Sequence, residues 1–83
     1  MFYVYVLKNK DKGIYTGYTL NLKARVAEHN TDHKGYTGKG DWECVYYEAY
    51  KDERDARARE KLLKASWNSM KWLKDRIKYS IED

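Results

Sequence analysis

Arg25 and His29 lie four residues apart in a segment whose apolar positions are Leu22 and Val26. A helix there puts a guanidinium and an imidazole on the same side as the apolar stripe. Such groups are costly to desolvate unless they meet something anionic, although at the stripe's edge both can extend to solvent. Glu60 raises the same question further on, where Ala56, Leu63 and Trp67 share its stripe. An ion pair with Arg57 or Lys64, at i−3 and i+4, is the ordinary account of such an acid. One carboxylate is too little for an all-protein metal cage, yet it is enough for Mg²⁺, which keeps several waters and shares substrate phosphate. Tyr5 and Tyr15 complete the set, since a phenol among cations can have its pKa lowered toward the range of a general base. Taken singly each of these residues has an ordinary structural account; together they could move a proton, face an anion and hold a hard cation.

The elements that must position these groups are readable from pattern. Phe2 to Leu7 is rich in aromatic and β-branched residues and reads as a strand, and Ile14 to Thr19 reads as a second. The polar stretch Lys8 to Gly13 between them predicts a β-hairpin. If paired residue numbers sum to 20, Tyr5 faces Tyr15, with Tyr3 on the same face; a slip by one would reverse that. Thr19 or Asn21 caps a helix running to about Asn30. Residues 30–41 hold three of the five glycines and read as a loop. Trp42 to Tyr50 reads as a third strand, Asp52 caps a helix to about Ala65, and Ser66 caps a final helix from Trp67 to about Ile81. The order β-β-α-β-α-α predicts an α/β (α+β) domain over 1–83, with a three-stranded antiparallel or mixed sheet flanked by helices.

Composition limits the partners. The 83 residues carry 17 Lys and Arg against 13 Asp and Glu, a net +4. Residues 54–78 hold nine basic and three acidic side chains, whereas residues 1–50 hold seven and six. A basic segment interleaved with Trp67, Trp72 and Tyr79 suits a phosphate backbone, although a solvated helix surface has the same composition. A single cysteine excludes an internal disulfide and a Cys-rich zinc site. No apolar run reaches the length of a membrane span and no signal-peptide pattern begins the chain, so a cytoplasmic location is expected. Most of the nine tyrosines, including Tyr46, Tyr47, Tyr50 and Tyr79, are expected at the rim of a thin core, and both Trp67 and Trp72 within it.

The pattern Val4-Tyr5-Val6-Leu7, Ile14-Tyr15-Thr16-Gly17 and Asn21 to Asn30, followed by Tyr36-Thr37, Trp42 to Tyr47 and Ala56 to Glu60, resembles the GIY-YIG endonuclease family. The likeness is to its small single-domain members, UPF0213-like proteins, and runs from about Phe2 to Arg76. The literal string Gly13-Ile14-Tyr15 stands at the position of the second motif, so Tyr5 matches the tyrosine of the first. The resemblance implies that Tyr5 and Tyr15 are the motif tyrosines, Gly17 the motif glycine, Arg25 the catalytic arginine, His29 a catalytic histidine and Glu60 the single metal-binding glutamate. Three departures stand out: Tyr18 occupies a position where nucleotide-excision relatives carry lysine, the second motif reads Tyr15-Thr16-Gly17 in place of Tyr-Ile-Gly, and the late asparagine has no secure counterpart, Asn68 being chemically possible.

The resemblance further implies a Mg²⁺- or Mn²⁺-dependent endonuclease acting on DNA by structure more than by sequence, in repair or recombination. Lys34, Tyr36, Thr37 and Lys39 in the loop, with Lys61, Lys64 and Lys71, would hold the nucleic-acid backbone without reading bases. Two alternatives predict different behaviour: a binding module without catalysis, and a nuclease subunit active only with a protein partner.

Overall fold

A computed structural model describes residues 1–31 and 41–82. Strands β1 (Phe2–Lys8) and β2 (Ile14–Thr19) precede helix α1 (Leu22–Thr31); strand β3 (Glu43–Tyr50) follows, then helices α2 (Glu53–Ala65), α3 (Trp67–Arg76) and α4 (Lys78–Ile81). The sheet runs β2-β1-β3 with both pairings antiparallel, which settles the fold as α+β. Among the described residues no helix is long and apolar enough to cross a membrane.

Central β1 is buried on both faces, which accounts for its unbroken run of large side chains. Val4 and Val6 meet Ala56, Leu63 and Leu73 on the α2–α3 side. Tyr5 and Leu7 turn the other way, toward Trp42, Leu22 and Val26. The hairpin turn is organised by Asn9, whose Oδ1 accepts from the backbone N–H of Asp11 at 3.0 Å and of Gly13 at 2.7 Å. Lys12 takes a left-handed φ of 64° there.

This turn shifts the expected register. Tyr5 pairs with Gly17 and Leu7 with Tyr15, so paired numbers sum to 22 and not 20. A shift of two preserves facing, and both tyrosines stay on the α1 side. In β3, Val6 pairs with Tyr46 and Leu7 with Cys44, leaving Val45 as a bulge. Val45 and Tyr46 consequently both pack on the α2–α3 layer, which explains the loose alternation of that strand.

Caps fall where polar side chains compete for backbone donors. Asn21 Oδ1 accepts from Ala24 N at 3.1 Å, and Thr19 Oγ1 accepts from Asn21 N at 3.1 Å. Asp52 Oδ1 accepts from Arg54 N at 2.8 Å, and Ser66 Oγ accepts from Ser69 N at 3.2 Å. The final helix is not continuous to Ile81. Ile77 leaves helical backbone with ψ 29°, and Ser80 N–H donates to Ile77 O at 2.9 Å to start the short α4. Restarting the helix at Ser66 also changes its buried side. Ser69 and Leu73 face inward, while Trp67 and Trp72 are 76% and 65% exposed, so neither is core.

Candidate active site

The site begins with a missing Cβ. Tyr5 lies across its cross-strand partner Gly17, and a methyl group there would collide with the Tyr5 hydroxyl and ring. Glycine is required at 17 for this close approach, not for backbone freedom. The open position lets the Tyr5 hydroxyl reach His29 Nε2 at 3.0 Å, across 24 residues of sequence. Tyr15 lies with its ring centroid 4.7 Å from that of His29 and 6.3 Å from that of Trp42. Tyr5 is 1% exposed and His29 8%, while Tyr15 is half-buried.

Helix α1 carries His29 on its inner stripe after Leu22 and Val26, as its spacing predicts. Asn30, the next residue, anchors the helix end. Its Nδ2 donates to Trp42 O at 2.9 Å and its Oδ1 accepts from Trp42 N at 2.7 Å. That two-bond clamp holds α1 to the start of β3, and sequence reading did not single it out. A polar residue following the last inward-facing position of a helix was its only sequence signal.

Arg25, one turn before His29, is partly exposed and lies 3.8 Å from Glu28. Glu60 enters from α2 with its side chain 24% exposed, and its Oε2 is 3.2 Å from Lys64 Nζ. The Lys64 ammonium is in turn 5.7 Å from the Tyr15 ring centroid. The ordinary ion pair is therefore real for Glu60, and its partner is Lys64; Arg57 pairs with Glu53 at 3.4 Å. Arg25 and Glu60 both act electrostatically on the Tyr5 phenol. Tyr5, Tyr15, His29 and Gly17 thus meet where α1 approaches the β1–β2 hairpin, with Arg25 and Glu60 within electrostatic reach of the Tyr5 phenol.

Electrostatics correct one expectation. Burial, with the Tyr15 phenol, Glu60 and Glu28, pushes the Tyr5 phenol up despite the opposing Arg25, so Tyr5 keeps its proton. Burial, followed by the Arg25 charge, pulls His29 below the ordinary imidazole value although Glu28 opposes. His29 is neutral at pH 7. With the phenol protonated and the neutral imidazole in its Nδ1–H tautomer, Tyr5 O–H donates to His29 Nε2 across the 3.0 Å bond.

Glu60 suits a hard divalent cation of the Mg²⁺ or Mn²⁺ type: it offers carboxylate oxygen, is partly exposed, and has an ammonium partner such an ion could replace. Among the described residues no group of three or more His, Cys, Asp or Glu forms a metal cage.

The expected nucleic-acid contacts fare unevenly. Lys34, Tyr36, Thr37 and Lys39 lie outside the described residues. Lys64 belongs to the site itself, Lys61 is exposed on α2, and Lys71 is 3.6 Å from Asp75. Asn68 is exposed on α3. Much of the basic segment is internally neutralised, by Asp52 on Arg54, Glu53 on Arg57 and Glu48 on Arg59.

Comparison with known proteins agrees with this arrangement. The GIY-YIG catalytic domain model matches residues 1–73. A UPF0213 protein of Clostridium perfringens is 42% identical over 66 residues, covering 77% of this chain and 71% of the relative. Another, encoded in the ldhD 5′ region of Pediococcus acidilactici, is 38% identical over 82 residues and covers 94% and 79%. The solution NMR structure of a UPF0213 protein from Bacillus halodurans matches with a TM-score of 0.56 and 31% identity, over 88% of this chain and 82% of that one. The UPF0213 designation specifies no activity. With its fold, motif tyrosines and glycine in place, the chain belongs to the GIY-YIG catalytic domain family, whose fold is of the nuclease type.

Proposed function

We propose that this protein is a metal-dependent endonuclease that hydrolyses phosphodiester bonds in DNA, selecting its substrate by structure and not by base sequence. The observation that carries this reading is the Tyr5–His29 hydrogen bond of 3.0 Å, within electrostatic reach of Arg25 and Glu60. A structural tyrosine–histidine pair has no need of a guanidinium and a carboxylate beside it.

Neutral His29 is the proton acceptor. As the attacking water gives a proton to the Tyr5 oxygen, the Tyr5 hydroxyl proton passes to His29 Nε2. The new O–P bond forms while the P–O bond to the leaving oxygen breaks. This relay never requires a free phenolate, which burial disfavours at Tyr5. Half-exposed Tyr15, seated on His29, orients the water. Arg25, always charged and planar, braces the developing charge on the phosphate. Glu60 would hold Mg²⁺ or Mn²⁺, which when bound supplies Lewis-acid neutralisation of phosphate and leaving oxygen.

Incubating the purified protein with Mg²⁺ and a panel of single-stranded, nicked, branched and duplex DNA, with RNA alongside, tests this reading. The expected outcome is cleavage of at least one DNA form, lost with chelator and reduced by about 10²–10³-fold in Arg25→Ala and Glu60→Ala. Wild type cutting no better than both variants on every substrate would overturn it. Salt-sensitive binding without cleavage would instead identify a binding module.

A further inference from the structure

Three cationic side chains outside any ion pair among the described residues, one in the hairpin turn and two at the end of the basic segment, share a groove. Arg54, Arg57, Arg59, Lys64 and Lys71 each lie within 4.0 Å of a carboxylate. Among the described residues Lys12, Lys74 and Lys78 lie in no ion pair. These three, with Lys8, line one groove between the hairpin turn and the C-terminal helices. Lys8 Nζ also donates to Ile81 O, which ties strand β1 to the end of α4 and forms one wall. Among the described residues Glu82 is the acid that lines that groove, and Lys78 lies 5.0 Å from the Tyr79 ring centroid.

The groove is continuous with the candidate active site. Ile14 and Lys74 line it and also line the neighbouring groove that contains Tyr15, Thr16 and Lys64. From Tyr15 the surface therefore runs past Lys64 and Lys74 to Lys78, Lys12 and Lys8. Its apolar floor, Ile14 and Ile81, presents no aromatic platform for stacking bases. Ammonium groups are point charges that neutralise phosphates without base discrimination.

We infer that this lysine groove is a binding track for the sugar–phosphate backbone flanking the scissile bond, formed by Lys8 and Lys12 of the hairpin with Lys74 and Lys78. The inference rests on the nuclease reading of the site, and it moves the backbone contact from Lys61 and Lys71 to the hairpin turn and the last two helices. Affinity follows phosphate number and salt, and not base identity.

The test is binding measured in chelator by fluorescence anisotropy, with a 12-nucleotide thymidine strand and a 12-base-pair duplex as probes. The variant combines Lys12→Asn, Lys74→Gln and Lys78→Gln; asparagine tolerates the left-handed backbone at position 12. The comparison variant Lys10→Gln, Lys23→Gln, Lys51→Gln removes equal charge elsewhere. Each phosphate that the protein no longer neutralises reduces the slope of log affinity against log salt by about 0.7–0.9. The groove variant should therefore fall short of wild type by about two units of slope on one or both probes and bind more than about tenfold more weakly at 0.1 M salt, the comparison variant much less. Equal slopes for wild type and groove variant on both probes, or equal reductions in the two variants, would overturn the inference. Binding is read without metal, so failure of cleavage leaves this result standing, and intact cleavage with an unaltered slope removes the groove alone. Matching circular-dichroism melts for all three proteins establish that folding is unaffected.

Discussion

Tyr5 and His29 work as a pair because each corrects the other's environment. The buried phenol would lack a partner without Nε2, and the buried imidazole accepts a proton it does not have to hold as a charge. Gly17 makes that pairing possible. Gly17→Ala should displace the Tyr5 ring, destabilise the fold by about 1–3 kcal/mol and reduce cleavage by about 10²-fold. Urea unfolding and single-turnover cleavage measure the two effects separately. On the proposed mechanism the neutral form of His29 is the active one; its pKa is lowered, so cleavage should fall only as pH drops below the ordinary imidazole value of about 6.5. Arg25 is the second cause of that lowering, after burial. An NMR titration of the His29 ring should accordingly show a higher midpoint in Arg25→Gln than in wild type; an unchanged midpoint would mean Arg25 does not face the imidazole.

At the scale of elements, α1 is the weakly attached part. It carries Arg25 and His29, yet it meets the sheet through Leu22, Val26, His29 and the Asn30–Trp42 clamp. Asn30→Ala should cost about 1–3 kcal/mol, because it removes both hydrogen bonds that tie α1 to the Trp42 backbone. Hydrogen exchange should find faster exchange in α1 than in β1. On the opposite face, α2 is joined to β3 by Glu48, which receives Arg59 Nε at 3.0 and 3.1 Å and the hydroxyls of Tyr46 and Tyr50. Burial would raise the Glu48 carboxyl, but the hydrogen bonds from Arg59, Tyr46 and Tyr50 outweigh it and hold it low. A folded pKa below the unfolded value adds stability above the unfolded value, and this is lost as pH falls through the folded one. Urea midpoints should therefore decline between about pH 5 and pH 3, and Glu48→Gln should flatten that decline.

For the molecule as a whole, a domain of 83 residues depends on few buried side chains. Leu63, 2% exposed beneath Val4 and Val6, is one of them. Leu63→Ala should cost about 2–5 kcal/mol, a large share of the roughly 5–15 kcal/mol available to a small fold. Trp72→Ser, despite removing the larger ring, should change stability by less than about 0.5 kcal/mol because that ring is outside the core. Thermal melts of the two variants should place them in opposite order from their hydrophobicity. Charge follows the same logic: the net +4 is a sum over paired and unpaired cations, and Lys12, Lys74 and Lys78, with Lys8 beside them, share one groove.

Element type, order and capping were legible in the sequence because they depend on short-range causes. Asn21, Asp52 and Ser66 satisfy backbone donors two or three residues away, and the alternation of β1 and β2 sets Tyr5 and Tyr15 on one face whether paired numbers sum to 20 or 22. The family pattern also named Tyr5, Tyr15, Gly17 and His29, which are in contact at the hairpin. Tertiary structure alone decided what those groups experience: the direction of the Tyr5 and His29 pKa shifts and the exposure of Trp67 and Trp72. Each follows from desolvation or contact between residues distant in the chain, or from which side of a helix meets the sheet. Local pattern carries no record of those distances, so it could name the chemistry but not the protonation state in which the site is held.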